Sequence, residues 1–279
     1  MTVDRQDKLA ALRNKTLERN DEQDPGGRIY IDKTSGEIYF SVTRILSATN
    51  DEQSKKRLDS WLSRPGSAES RDMAARRGTA AHWSAEKMLR LSQRLARSAA
   101  NKRNSYKLGE DGLYRAPKAV TKWSLEKALQ SAPKVAWSAS GYARGLRGWL
   151  LDNCTAVHAV EFSGYHPGGF AGSCDCLIDI GGTGPVIVDF KTTGKSLHAD
   201  MEMSNKNYRD QCGAYSLMLR HLTDIEAKAG AIVTARRSGE PVTTLLDREA
   251  LTAAEDRFLA RCERFFDELH TQRDLKDHS

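Results

Sequence analysis

An apolar run, Val186-Ile187-Val188, leads straight into Asp189-Phe190-Lys191. The turn signals before it, Gly181-Gly182-Thr183-Gly184-Pro185, make it a buried strand that ends in Asp-x-Lys. Side chains of a strand alternate between faces, so Asp189 and Lys191 share one. Asp175 opens the preceding apolar stretch, Cys174 to Ile180. If the two strands form a hairpin through the Gly-rich turn, Asp175 comes beside Asp189, and two carboxylates and an ammonium converge at one end of a sheet. Phosphodiester cleavage needs such a set. Hard carboxylate oxygens hold Mg²⁺ or Mn²⁺, and an ammonium steadies charge that develops on phosphorus. Taken alone, Asp-x-Lys also describes an ordinary surface ion pair at a strand end.

The rest of the chain supplies a setting. Its 279 residues suffice for one large domain with a real hydrophobic core. Residues 1–27 read as a short helix and a loop, an N-terminal extension to a single domain over 28–279. Arg28 to Ile31 and Glu37 to Phe40 form a hairpin about Thr34-Ser35-Gly36. Ser41 or Thr43 then caps a helix. From Asp51 to about Ser98 the pattern is helical, broken near Arg64-Pro65-Gly66. Helices are expected over 138–153, 205–222 and 248–270, and strands over 157–162, 174–180, 186–190 and 231–235. Helices first, then strands with an intervening helix, predict an α/β fold. Its central mixed sheet is flanked by helices and carries an N-terminal helical elaboration.

Further polar residues stand where burial is expected. Glu161 lies near the end of its strand, before the Gly-rich turn that leads to Asp175. By itself it reads equally as a solvated terminus. His82 shares a helix face with Ala85 and Leu89. It is either a satisfied core histidine or, with Gly78-Thr79 marking a helix start, a metal ligand. Gln211 and Tyr215 sit four apart on the inward face of their helix. A buried amide there must find partners, whether by capping a sheet edge or by bracing a site.

This ordered set resembles the RecB-like branch of the PD-(D/E)XK nucleases. Gly172-Ser173-Cys174-Asp175 is similar to that branch's G-x-x-D signature, and Asp189-Phe190-Lys191-Thr192-Thr193 to its D-x-K-T-[ST]. Ser41-Val42-Thr43-Arg44-Ile45-Leu46 and Arg77-Gly78-Thr79-x-x-His82 look more narrowly like the mitochondrial genome maintenance exonuclease group and its phage and bacterial relatives. The resemblance runs from about residue 41 to 222. It implies a restriction-endonuclease-like core and exonuclease action on single-stranded DNA ends. Asp175 and Asp189 would be metal ligands for Mg²⁺ or Mn²⁺, Lys191 the catalytic lysine, His82 a further ligand and Glu161 a supporting acid or ligand. Gln211 and Tyr215 would brace the site. Thr43, Arg44, Arg77, Thr192 and Tyr215 fall where nucleic acid would pass.

Composition bounds the alternatives. A formal charge of +6 suits a polyphosphate partner. A basic stretch over about 90–136, interleaved with Tyr106 and Trp123, is a candidate rim for single strands, and Arg236 after the last strand is a weaker backbone contact. Five scattered cysteines make a poor disulfide framework. Iron–sulfur relatives cluster three cysteines near the C-terminus, whereas only Cys262 follows Cys212 here, so no iron–sulfur cluster is expected. A P-loop, a membrane-spanning run and a signal-peptide core are all missing from the sequence. The expected location is therefore the cytoplasm of a bacterial or phage-infected cell, with single-strand-binding or recombination proteins as partners. A structure-specific endonuclease and a non-catalytic DNA-end-binding protein remain the competing readings.

Overall fold

The computed structural model describes residues 16–21, 27–194 and 200–277, with Leu9 and Leu12 as single positions. Strands β1 (Leu17–Asn20), β2 (Ile29–Asp32) and β3 (Ile38–Ser41) lead into helices α1 (Val42–Ala48), α2 (Glu52–Leu62) and α3 (Ser67–Lys102). The short pair β4 (Lys107–Leu108) and β5 (Tyr114–Arg115) precedes α4 (Lys118–Gln130) and α5 (Trp137–Asn153). Then come β6 (Cys154–His166), β7 (Phe170–Ile180), β8 (Pro185–Thr193), α6 (Asp200–Thr223), β9 (Ala229–Arg236), β10 (Val242–Leu246) and α7 (Arg248–Asp277).

The expected mixed sheet is present. Its strands run β1-β2-β3-β7-β8-β9-β10, with β6 on the other edge of β7. The β7–β8 hairpin is antiparallel, whereas β3–β7 and β8–β9 are parallel. Along β8 the predicted alternation holds. Ile187 packs in the core under α6 and α7, while Val186, Val188 and Phe190 pack in the core under α3 and α5. A strand covered on both faces must be apolar on both, which is why this segment reads as a continuous hydrophobic run.

Two edges of β7 decide where the site lies. One edge carries β6 along its whole length. The other is shared end to end: Phe170 and Ala171 pair with β3, and Cys176 to Asp179 pair with β8. Between them, residues 172–175 have no strand beside them on that edge, so the sheet forks there. Ser41 ends β3 at the fork and accepts the Arg44 backbone N–H at 3.1 Å, which starts α1 as the sequence indicates.

Three expectations need correction. The segment around residues 17–20 is a strand rather than loop, antiparallel to β2; the helix expected over the rest of 1–27 lies mostly outside the described residues, although Leu9 is helical and Leu12 is buried in the main core. Glu161 lies in the middle of the 13-residue β6, not near its end. Gly78 does not start a helix but sits well inside α3. A Cβ there would come within 3.1 Å of Thr192 Oγ1, so glycine lets α3 press against the end of β8.

Candidate active site at the sheet fork

The hairpin register sets Cys176 opposite Val188, so Asp175 and Asp189 stand next along the two strands at the fork. Asp175 fills the missing strand contact itself. Its Oδ2 accepts the Phe190 backbone N–H at 2.6 Å, and its Oδ1 lies 3.1 Å from His82 Nδ1. The His82 ring also meets the Phe190 ring edge-on at 5.9 Å. Ala85 and Leu89, the residues expected to share its face, are fully buried beneath it.

Lys191 follows Asp189 on the same face, as period two requires. Its Nζ is 2.5 Å from Asp189 Oδ2, donates to Gln211 Oε1 at 3.0 Å and lies 4.8 Å from the Tyr208 ring centre. Gln211 Nε2 in turn donates to Tyr215 Oη at 2.6 Å. The inward amide of α6 thus spends its groups bracing the lysine. Tyr215 is buried against Gly172, where a Cβ would come within 2.9 Å of its ring, so the glycine of Gly-Ser-Cys-Asp makes room for the tyrosine.

Glu161 approaches from β6. The pairs Val160–Cys176 and Phe162–Cys174 bring it level with Asp175. Its φ of 49° is left-handed, a conformation that costs roughly 1–3 kcal/mol for a residue other than glycine. Burial, then the neighbouring Asp175 carboxylate, push its carboxyl up to about 8. Burial also raises Asp189, and Asp175 adds to this against the pull of Lys191. Asp175 goes the other way: burial opposes ionisation, but His82, Lys191 and the Phe190 N–H outweigh it and hold the group low. Burial works against the charged Lys191, yet the two aspartates keep its ammonium protonated above the ordinary lysine range. Burial likewise disfavours charged His82, and Asp175 more than offsets it.

The site therefore carries more carboxylate than cation. Asp189 Oδ2 is buried and meets the Lys191 ammonium at 2.5 Å. Buried carboxylates in excess of the cations beside them are costly unless further positive charge joins them. Among the described residues no three His, Cys, Asp or Glu side chains stand ready as a closed cage. The donors nevertheless have the chemistry of a Mg²⁺ or Mn²⁺ site: carboxylate oxygens from Asp175, Asp189 and Glu161, crowded enough that burial and each other raise two of them, with His82 alongside.

These groups open into a cleft of about 420 Å³, walled by β2, β3 and α1 on one side and by α3 on the other. Thr43 and Tyr215 line it, as expected. Five cleft residues were not foreseen as site residues: Arg19, Arg28, Tyr30, Trp83 and Glu86. Trp83 and Glu86 follow His82 on α3, and their helical offset from it was a usable signal. Arg19 and Arg28 were not legible, because β1 and β2 reach the cleft only through the parallel contact of β3 with β7.

Other expected nucleic-acid contacts lie elsewhere. None of residues 90–134 lines the cleft. Tyr106 stacks on Tyr114 at 5.7 Å and packs beside Ala96, about 20 Å along α3 from His82 at 1.5 Å per residue. Arg115 bonds Asp179 and Asp111, tying this insertion to the far end of β7. Trp123, half exposed on α4, follows it, because the neighbouring Ser124 bonds Ser92 of α3. Arg44 turns onto the Phe40 ring at 4.7 Å, Arg77 stands 5.7 Å from the Tyr142 ring, and Arg236 pairs with Thr193 at the sheet end. Thr192 faces Gly78. The five cysteines are buried and free of disulfides. No helix among the described residues is long and apolar enough to cross a membrane.

The model of the PD-(D/E)XK nuclease superfamily matches residues 55–276, from α2 into α7, and takes in every residue gathered at the fork from α3, β6, β7, β8 and α6. No curated protein matches the chain.

Proposed function

The chain belongs to the PD-(D/E)XK nuclease superfamily, and from its fork we propose a deoxyribonuclease that uses Mg²⁺ or Mn²⁺ to hydrolyse single-stranded DNA from free ends. The observation that carries this reading is the meeting of Asp175, Asp189 and Lys191 at the gap in the sheet, with Glu161 brought level with Asp175 from β6. Asp175, Asp189 and Glu161 would hold the cation, with His82 beside them. When bound, it would supply positive charge to the scissile phosphate and acidify a water beside it.

The chain's own groups do the rest. Lys191, fixed between Asp189 and Gln211, is aimed to orient the attacking water and to meet charge on the phosphoryl oxygens. Gln211 and Tyr215 limit its rotamers. His82 holds one oxygen of Asp175 and the Phe190 N–H the other, so this carboxylate cannot swing. A 420 Å³ cleft is of small-molecule size. It suits a flexible strand better than a stiff duplex, which supports the preference for unpaired DNA. End-dependence rests on the likeness of Arg77-Gly78-Thr79-x-x-His82 to the exonuclease group. Recombination, repair or phage DNA metabolism are the settings that would use such an activity, in a cytoplasm with single-strand-binding partners.

End-labelled linear and circular single strands and duplex, incubated with Mg²⁺, Mn²⁺ or EDTA, test the proposal. The expected result is loss of linear single strands only, in either metal and not in EDTA. Cutting of circles would make the protein an endonuclease. Salt-sensitive binding without cutting in either metal would leave a DNA-end-binding module.

A further inference from the structure

A second, larger opening lies beside the cleft, lined by neighbouring residues of α6. It encloses about 1260 Å³, beyond the roughly 300–1,000 Å³ usual for a small-molecule site. One wall is α2, a helix with no fully buried residue. Lys56, Arg57, Leu58, Ser60 and Trp61 line it, with Arg64 two residues beyond the helix end. The facing wall carries Lys206 of α6 with Arg257, Arg261 and Arg264 of α7, these three at helical spacing. Two helices that pack for stability put apolar residues on such faces. Here cations stand on both walls across open space and outnumber the acids of the lining, Asp51, Asp210 and Glu263.

Some of this charge is already spent. Arg257 and Arg261 share Asp210, and Arg261 also bonds Thr49, Asn50, Asn207 and the Leu46 carbonyl. Lys56, Arg57, Arg64, Lys206 and Arg264 are exposed and make no ion pair with a described residue. Their mutual repulsion costs stability unless an anion enters. Trp61, half-buried among them, offers a flat face of the kind on which an unpaired base stacks.

The groove also has a place relative to the fork. Thr43 of α1 faces the cleft while Thr49 and Asn50 at its other end face the groove, about 10 Å away at helical rise. On α6, Asp210 faces the groove and its neighbour Gln211 the cleft. We propose that the groove between α2 and the α6–α7 pair is a second nucleic-acid site, which holds the backbone of the single strand whose other part occupies the cleft. This rests on the nuclease reading for the identity of the strand, and on the groove's own charge for the binding.

Fluorescein-labelled 30-mer single strands in EDTA separate binding from cutting. Wild type is compared with a Lys56→Glu/Arg57→Glu/Arg64→Glu variant and, from the opposite wall, Arg264→Glu. All four residues are exposed, and circular dichroism checks that each variant folds. The triple variant should bind at least about tenfold more weakly. Its dependence of log affinity on log salt should flatten by about 2, at roughly 0.7 per phosphate contact on single strands. Trp61→Ala should weaken single strands and leave duplex binding alone. Unchanged affinity and salt slope in both charge variants would overturn the groove even if wild type cuts DNA. Weakened binding in a protein that never cuts would sink the nuclease reading and leave the groove standing. Stronger competition by poly-glutamate than by an oligonucleotide would assign the groove to an acidic protein segment. A wild-type dimer that the charge variants dissolve would assign it to a second copy. Either result overturns the proposal.

Discussion

Lys191 is held by three neighbours of different kinds: a carboxylate, an amide and the face of Tyr208. Each fixes a different degree of freedom of a long, flexible side chain, so its ammonium is preorganised rather than free to sample water. Lys191→Ala should lower the cleavage rate by about 10²–10⁴-fold, the range for a positioned catalytic group. Its affinity for single strands in EDTA should change little, and a variant that cuts as fast as wild type would remove the lysine from the mechanism. Glu161 makes a separate prediction. Its carboxyl, raised to about 8, keeps its proton in the folded chain where the unfolded chain has lost it. The folded state then binds more protons, so stability falls as pH rises from the ordinary glutamate range to about 8. Glu161→Gln, which mimics the protonated form, should raise the melting temperature in EDTA more at pH 9 than at pH 5. Added Mg²⁺ should shrink the wild-type difference. Equal shifts at both pH values would mean that Glu161 is not carrying the buried charge.

Elements were legible where pattern and local chemistry agree. The strand that ends in Asp-x-Lys, the hairpin into it, the Ser41 cap and the amphipathic α6 all follow from spacing within one segment. What failed was contact between segments. Gly78 looked like a helix start because glycine usually interrupts helices, yet here it answers to Thr192, 114 residues later. Glu161 looked terminal because the apolar pattern ends at Phe162, before Ser163-Gly164, whereas β6 runs on to His166 through a left-handed position at Glu161. Arg261 could not be found at all. Inside α7 it is one arginine among several, but all five of its guanidinium N–H groups have partners on α1, on α6 and in the turn after α1. It is buried, and so is its carboxylate partner Asp210. Arg261→Met would leave that carboxylate with Arg257 alone and strip hydrogen bonds from Thr49 and Leu46. A loss of about 3 kcal/mol is expected, near the lower end for a broken buried pair, read as a lower urea midpoint at unchanged slope. A change under about 0.5 kcal/mol would mean that the arrangement is water-exposed in solution.

At the scale of the whole molecule, the active centre is a defect in a sheet. β7 gives one edge to two strands, β3 from more than a hundred residues before it and β8 from directly after it, and the site occupies the interval between them. No local pattern announces that β3 pairs in parallel with β7, so the wall formed by β1 and β2 could not be foreseen, although the carboxylates and the lysine could. The same view revises how the net charge of +6 is used. The basic stretch of 90–134, the obvious rim in the sequence, folds against the far end of β7. The cations at the rim of the cleft, Arg19 and Arg28, come from β1 and the residue before β2, and those of the groove from α2, α6, α7 and the turn after α2. If six of them meet phosphates, log affinity should fall with log salt at a slope near 4, at about 0.7 per contact on single strands. Raising KCl from about 50 to 200 mM should then weaken single-strand binding by about 250-fold while the melting temperature shifts little, since exposed charges contribute little to the fold. Parallel titrations with Lys191→Ala and with a variant carrying Lys→Glu changes at Lys102, Lys107 and Lys122 separate the two basic regions. The slope should be unaltered in both. A slope that drops by about 2 in the second variant would return the strand to the 90–134 region and take it away from the fork.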